Sequence, residues 1–475
     1  MGHNHRDDDC CFNIRFNSYL RMKEKIRIGC GAGFSGDRIE PALILAEKGK
    51  LDYLVLECLA ERTIALAQKR KLQDPTKGFD PLLERRVELL LPVLNKNKIR
   101  LITNMGAANP IEAAKKIIAI AKSKNIHVKI AAVTGDDLVE EMKPGDNFDF
   151  KKFIPFAGDE KIIYNQYSPI TNEQVISANA YLGVEGIINA LNESADIIIT
   201  GRVADPSLFL APMMHEFGWR MDDYDMLGKG TVTGHLLECA GQVTGGYFAD
   251  PVKKPVGNVH ELGHPFADIF ADGSSIISKV EGTGGIVNLQ TVKEQLLYEV
   301  INPYEYITPD VVADFTTVHL KEIEKDKVHV SGGGGKPNLS TYKVSVGYKA
   351  FYLGEGEISY AGESAYERAK LAGEIVKERL QKNFPDLRID YIGVQSAHRT
   401  EFNNHNNPYE VRLRVAAKAK TTDEALLIGE ETEALYTNGP AGGGGARKYV
   451  NEVIGIVSVL VERKKITSEI TLFQS

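Results

Sequence analysis

The residues most able to do chemistry sit in a few short polar stretches. The first is Gly29-Cys-Gly-Ala-Gly-Phe-Ser-Gly-Asp37, which contains Gly31-x-Gly33-x-x-Gly36. Glycines at this spacing let a backbone approach an anion closely, and a helix N-terminus behind them adds positive potential. Glu57 follows at the interval of an acidic ribose ligand, so a dinucleotide is one reading. Another anion, such as a carboxylate or the phosphates of coenzyme A, is a second. A tight structural turn is a third. Asp37, at the start of the helix, argues against a phosphate because its charge would repel one.

Further along, Asn104 and Asn109 flank Gly106. Asn104 suits a substrate carbonyl or carboxylate, since an amide hydrogen-bonds without carrying charge. Asn109-Pro110 reads as a helix N-cap followed by proline at the first helical position. Asp136 and Asp137 could bind a divalent cation, do acid–base work or cap a turn. Arg202 offers a planar fork for a carboxylate or phosphate, with Asp205 to orient it or to cap the helix after Pro206. His235, Glu238 and Cys239 fall within about one helical turn. His235 or Glu238 could move protons, and His235 could activate Cys239 as a nucleophile. A free cysteine is more often a small core residue. His264 is a reserve candidate for proton transfer. Glycines 282, 284 and 285 form either a backbone nest or a bulge. G-x-S-x-G and Walker A patterns do not occur, so α/β-hydrolase and P-loop readings lose their sequence support.

Regular elements must position these stretches. From Lys25 short apolar runs alternate with amphipathic ones. Strands are expected at 26–28, 51–57, 99–103, 128–133 and 195–200, and helices at 37–49, 61–71, 85–96, 110–123 and 174–193. Pro92 should kink or break the third of these helices. This order implies an α/β fold with a mostly parallel sheet flanked by helices. The polar stretches leave the carboxyl ends of strands, the edge where ligands bind in such sheets. From Tyr247 the texture changes, with more Gly and Pro. From Tyr342 the pattern runs strand, strand, helix, strand, strand, helix, strand, which suggests a C-terminal α+β ferredoxin-like domain.

The whole chain sets outer bounds. Its 475 residues exceed what one core holds, so two or three domains are expected. The net charge is −7 and the basic residues are dispersed, which leaves no basic face for nucleic acid. Cysteines at 10, 11, 30, 58 and 239 form no C-x-x-C pair and fit a reducing, cytoplasmic setting. No apolar run approaches the roughly 20 residues that span a bilayer, so no membrane partner is expected. Residues 1–24 read as a flexible extension, and a homo-oligomer is the default for an enzyme of this size.

Taken together, the segments 28–38, 103–110, 134–137, 200–205 and 235–242 resemble the acyclic terpene utilisation (AtuA) family, over about residues 25–460. The smaller C-terminal part resembles the ferredoxin-like domain often attached to that family. The resemblance implies an AtuA-like α/β domain at 25–340, with a possible sub-boundary near 246, and a ferredoxin-like domain at 341–475. It implies a metabolic setting, the breakdown of branched acids and terpenoids through acyl-CoA thioesters, and carries no catalytic assignment. The expectation is an enzyme acting on a short or branched carboxylic acid or its coenzyme A thioester by non-redox chemistry of the hydratase, lyase or isomerase type. His235, Glu238 and Asp136 would move protons. Gly31, Gly33, Gly36, Asn104, Gly106, Arg202 and Asp205 would hold substrate, with His264 and Cys239 in reserve. Cofactor and metal stay open. An NAD(P)-dependent oxidoreductase and a non-catalytic subunit of an acyl-CoA-processing complex are the alternatives.

Overall fold

A computed structural model describes residues 23–142, 153–156, 159–163, 170–398 and 408–475. The extension expected at 1–24 lies outside the described residues except for its last two. The chain divides into two compact units. The first comprises Met1–Pro169, Ser177–Val346 and Val457–Ser475; the second comprises Ile170–Ile176 and Gly347–Ile456.

The first unit opens with β1 (Lys25–Ala32), α1 (Glu40–Lys48), β2 (Tyr53–Leu56), α2 (Glu61–Gln73), α3 (Leu83–Asn97), β3 (Arg100–Thr103), α4 (Pro110–Ser123) and β4 (Lys129–Thr134). It continues through most of β5 (Val175–Ala180), then α5 (Glu185–Asn192), β6 (Ile197–Thr200), α6 (Ser207–Phe217), α7 (Tyr224–Glu238), β7 (Pro265–Phe270), β8 (Ser275–Lys279), β9 (His319–Glu324) and β10 (Lys327–Ser331). Ten strands form one sheet in the order β9-β10-β8-β7-β1-β2-β3-β6-β4, completed by a closing strand, Glu469–Gln474, beside β4. The pairs from β1 through β2, β3 and β6 to β4 are parallel. All the outer pairs are antiparallel. The sheet is therefore mixed, and the expectation of a mostly parallel sheet holds only at its centre. For two of these pairs the cause is local: β7–β8 and β9–β10 are joined by turns far too short for a parallel crossover.

The central strands are apolar on both faces because helices cover both. Leu54, Leu101, Ile130 and Ile199 pack with α1, α3 and α4 into one core. Side chains alternate along a strand, so Val133 faces the other way, against α5, and α6 and α7 lie on β1. In α3, Leu83, Val87, Leu90, Leu91 and Leu94 recur at helical spacing and are buried. Of the two outcomes expected at Pro92, a break does not occur: the helix runs through it. This proline is exposed, and so is Glu88, whose carbonyl loses its partner and can be hydrated instead.

The helix expected at 174–193 is instead β5 followed by α5. All six residues of β5 are buried, so the segment lacks the alternation that marks a half-buried strand. Asp310 ties the starts of two helices together. Its carboxylate accepts the Val184 N–H at the start of α5 and the Ser207 hydroxyl at the start of α6.

The second unit contains most of β11 (Thr341–Ala361), then α8 (Ala365–Leu380), β12 (Arg388–Ile392), β13 (Glu410–Ala419), α9 (Thr422–Glu433) and most of β14 (Gly444–Glu462). The strand order is β12-β13-β11-β14, and β13 is antiparallel to both of its neighbours. Ala369, Ala372 and Val376 of α8 pack on Ile358, Leu413 and Val415. The two strands expected after Tyr342 are one 21-residue strand. Among the described residues, no helix is long and apolar enough to cross a membrane.

Candidate functional site

At the carboxyl edge of the parallel strands, the first unit holds a cavity of about 1140 Å³. Its wall includes Gly33 after β1, Glu57 after β2, Arg202 and Asp205 after β6, and Glu238 with Cys239 at the end of α7. His264, just ahead of β7, completes that part of the wall.

The glycine turn borders the cavity but keeps its own amides occupied. Asp37 Oδ2 accepts the Gly33 N–H at 2.7 Å and the Phe34 N–H at 3.3 Å. From beneath, the buried Arg86 guanidinium donates to the carbonyls of Ser35 and Asp37 at 3.1 and 2.9 Å. The amides a pyrophosphate would need are thus taken by a carboxylate of the same turn. Gly33 has a steric reason to be glycine: a methyl group there would stand 2.4 Å from the Cys239 carbonyl carbon. Gly31, Gly36 and Gly106 do not line the cavity. Each makes room for a neighbour: Leu56, the Phe34 ring and the Thr200 carbonyl, respectively.

Three carboxyl groups converge on the cavity from three different segments. Glu57 Oε1 accepts the Leu59 N–H at 2.9 Å and the Asn104 amide at 2.8 Å. Asn104 also accepts the Cys58 N–H at 2.7 Å, so it holds Glu57 in place and is itself fully buried. Burial pushes Glu57 well above the usual carboxylate range, and the nearby Asp205 charge adds to this. Asp205 lines the cavity, and desolvation there raises it against the pull of Arg202. Glu238 is pushed up to about 7 by burial, with His235 opposing. Its Oε1 lies 2.8 Å from His235 Nδ1, and its Oε2 is enclosed without a hydrogen-bond partner among the described residues.

Several expected site residues sit one layer further back. His235 is 1 % exposed and does not line the cavity. It lies against the rings of Tyr306 and Phe315 and backs Glu238. Asp136 is also off the cavity wall. It accepts the Arg202 N–H and the Asn179 amide, both at 2.9 Å, and burial pushes it up to about 6. Asp137 turns instead to Lys71 and Gln68. Among the described residues, no three His, Cys, Asp or Glu side chains group as a metal site. Asn109 caps α4 and donates to the carbonyls of Pro75 and Lys77.

Arg202 borders the cavity with most of its fork committed. Nε and Nη2 donate to the Val203 carbonyl, Nη1 to the Leu59 carbonyl and Nη2 also to Asp205. Its guanidinium lies 4.6 Å from the Tyr181 ring centre. It orients Asp205 more than it offers a free anion clamp. Cys239 lines the cavity with its thiol pushed upward by burial and by Glu238, so it stays protonated. His235 spends its Nδ1 on Glu238, which leaves the thiol without the activating base the sequence suggested.

Three wall residues have no signal in the sequence. Lys343 Nζ lies 3.1 Å from Glu61 Oε1 and 4.6 Å from the Tyr181 ring centre, and the Tyr181 hydroxyl donates to Glu61. The three come from distant parts of the chain, and no motif spans them.

A family model described as acyclic terpene utilisation family protein AtuA matches residues 26–472. No curated protein matches the chain, and no solved structure does.

Proposed function

The chain belongs to the acyclic terpene utilisation (AtuA) family, and from that premise we propose that it is an enzyme of non-redox acid–base chemistry on a branched carboxylic acid carried as its coenzyme A thioester. One observation carries the reading: Glu57, Asp205 and Glu238 line one cavity, and each is held toward its protonated form. Of the three, Glu238 near 7 is matched to proton transfer in either direction. Such groups suit hydration, elimination or isomerisation next to a carbonyl.

Size supports a thioester over a free short acid. The cavity exceeds the roughly 300–1,000 Å³ usual for small-ligand sites, so a short acid alone would leave it mostly empty. The Asp37 carboxylate on the turn amides weighs against a bound dinucleotide. In the second unit, the strand–helix–strand–strand–helix–strand order and the sheet order β12-β13-β11-β14 support reading residues 347–456 as ferredoxin-like.

Purified protein incubated with a panel of enoyl-, hydroxyacyl- and branched saturated CoA thioesters is expected to turn over at least one. With that substrate, Glu238→Gln should lower kcat by about 10²–10⁴. No binding and no turnover across the panel, or an unchanged rate in the variant, overturns the reading.

A further inference from the structure

We propose that His264 is the general base of this cavity, taking a proton from the carbon next to the substrate carbonyl on Nε2, with the Gly31 carbonyl fixing its tautomer. The inference rests on the acid–base reading above and adds to it the base and the role of the glycine turn.

His264 is 5 % exposed and lines the cavity. Its Nδ1 lies 3.1 Å from the Gly31 carbonyl oxygen. A carbonyl only accepts, so Nδ1 carries the hydrogen and the lone pair of the neutral ring is on Nε2. Among the described residues, the one hydrogen bond of the ring is that of Nδ1, which leaves Nε2 unoccupied. Gly241 lies beside Nε2, where a methyl group on it would stand in ordinary contact at 3.5 Å.

The surroundings hold the ring in its neutral form, whose Nε2 lone pair is free to accept a proton. Burial is the largest influence, and the Arg86 and Arg38 charges act with it; Asp37 and the Gly31 carbonyl oppose them. The net result holds His264 below the ordinary histidine value. Arg86 is bound to the carbonyls of Ser35 and Asp37, and Asp37 to the amides of Gly33 and Phe34, so these charges are fixed in place. His235 has no comparable freedom, being off the cavity wall and bonded to Glu238.

The step balances within the site. The Nε2 lone pair takes the proton from carbon, and the C–H electron pair becomes a carbon–carbon double bond. The carbonyl π pair moves to oxygen, which takes the Glu238 proton. The products are an enol, an imidazolium and a carboxylate, and reversal restores the starting state. An unoccupied base and a protonated acid on one cavity are the two partners that enolisation requires. The glycine turn then serves catalysis by orienting a base through its carbonyl, with its amides turned to Asp37.

Two measurements on the full chain test this. Long-range ¹⁵N–¹H spectra of histidine-labelled protein, with His264 assigned by comparison with His264→Asn, should show a neutral ring protonated on Nδ1 at pH 7. In D₂O, a branched saturated acyl-CoA thioester should gain deuterium at the carbon next to its carbonyl. His264→Asn keeps an amide donor for Gly31 and should slow that exchange by about 10²–10⁴ with its melting temperature preserved. A ring protonated on Nε2, or a charged ring, overturns this proposal alone. So does exchange at the wild-type rate in a folded His264→Asn. The expected tautomer in a wild-type protein that exchanges no thioester overturns the acid–base reading and the base assignment with it.

Discussion

Glu238 answers opposite demands of chemistry and stability. Its folded value of about 7 lies above the ordinary 4.5, so the folded protein keeps a proton that the unfolded chain releases earlier. Stability linked to this group is fully present below about pH 4.5 and is lost as pH rises through 7. The loss amounts to about 3 kcal/mol at most. Melting temperatures at pH 5 and pH 8 should therefore differ less in Glu238→Gln than in the wild type; an equal difference in both would contradict the assignment. Asp37 gives a second prediction. Asp37→Ala frees the amides of Gly33 and Phe34, and should cost about 1 kcal/mol of stability while creating measurable affinity for inorganic phosphate by calorimetry. If no affinity appears, the carboxylate is not what closes the site. Residue types alone marked Glu238 and His264 as candidates for proton transfer, because carboxyls and imidazoles are the usual proton carriers, and marked Asp205 as the partner that orients Arg202. Residue types could not show that the Leu59 carbonyl takes part of the Arg202 fork, since that contact exists only once the segments after β2 and β6 lie side by side.

Among the elements, the tight join is between the glycine turn and the end of α7. The missing side chain at Gly33 lets the turn rest on the Cys239 backbone, so the cavity wall is continuous from Phe34 to Glu238. Gly33→Ala must push these segments apart. It should cost about 1–3 kcal/mol by overpacking and reduce turnover by more than that loss explains, read from melting and steady-state kinetics together. Full activity in this variant would show that the turn does not set the position of Glu238. The helices were legible in the sequence where their apolar residues recur at helical spacing, as in α3 and α4. Asn109 followed by Pro110 marked the start of α4 through cap chemistry that acts locally. β5 was misread because a strand buried on both faces carries no period to tell it from a buried helix.

On the scale of the whole molecule, the sequence revealed the α/β character and the polar strand ends. It concealed which strands lie outermost. β1 pairs on its outer side with β7, from Lys25 against Phe270 to Gly29 against Phe266, a contact far apart in sequence that no local pattern encodes. The order of elements after Tyr342 was easier, because each neighbour in that series lies close in the chain. The closing strand is the extreme case. Glu469 pairs with Thr134 and Gln474 with Lys129, covering the edge of β4 with the last residues of the chain. Removing residues 469–475 should leave an open apolar edge and produce a protein that aggregates on warming, measured by light scattering. A deletion variant that stays dispersed would show that the edge is otherwise protected. During synthesis the same edge waits for about 335 further residues, roughly 20–70 s at ordinary elongation rates. For that interval the nascent chain offers an unpaired strand to any neighbour on the same messenger, so its yield should depend on how quickly residues 469–474 are made.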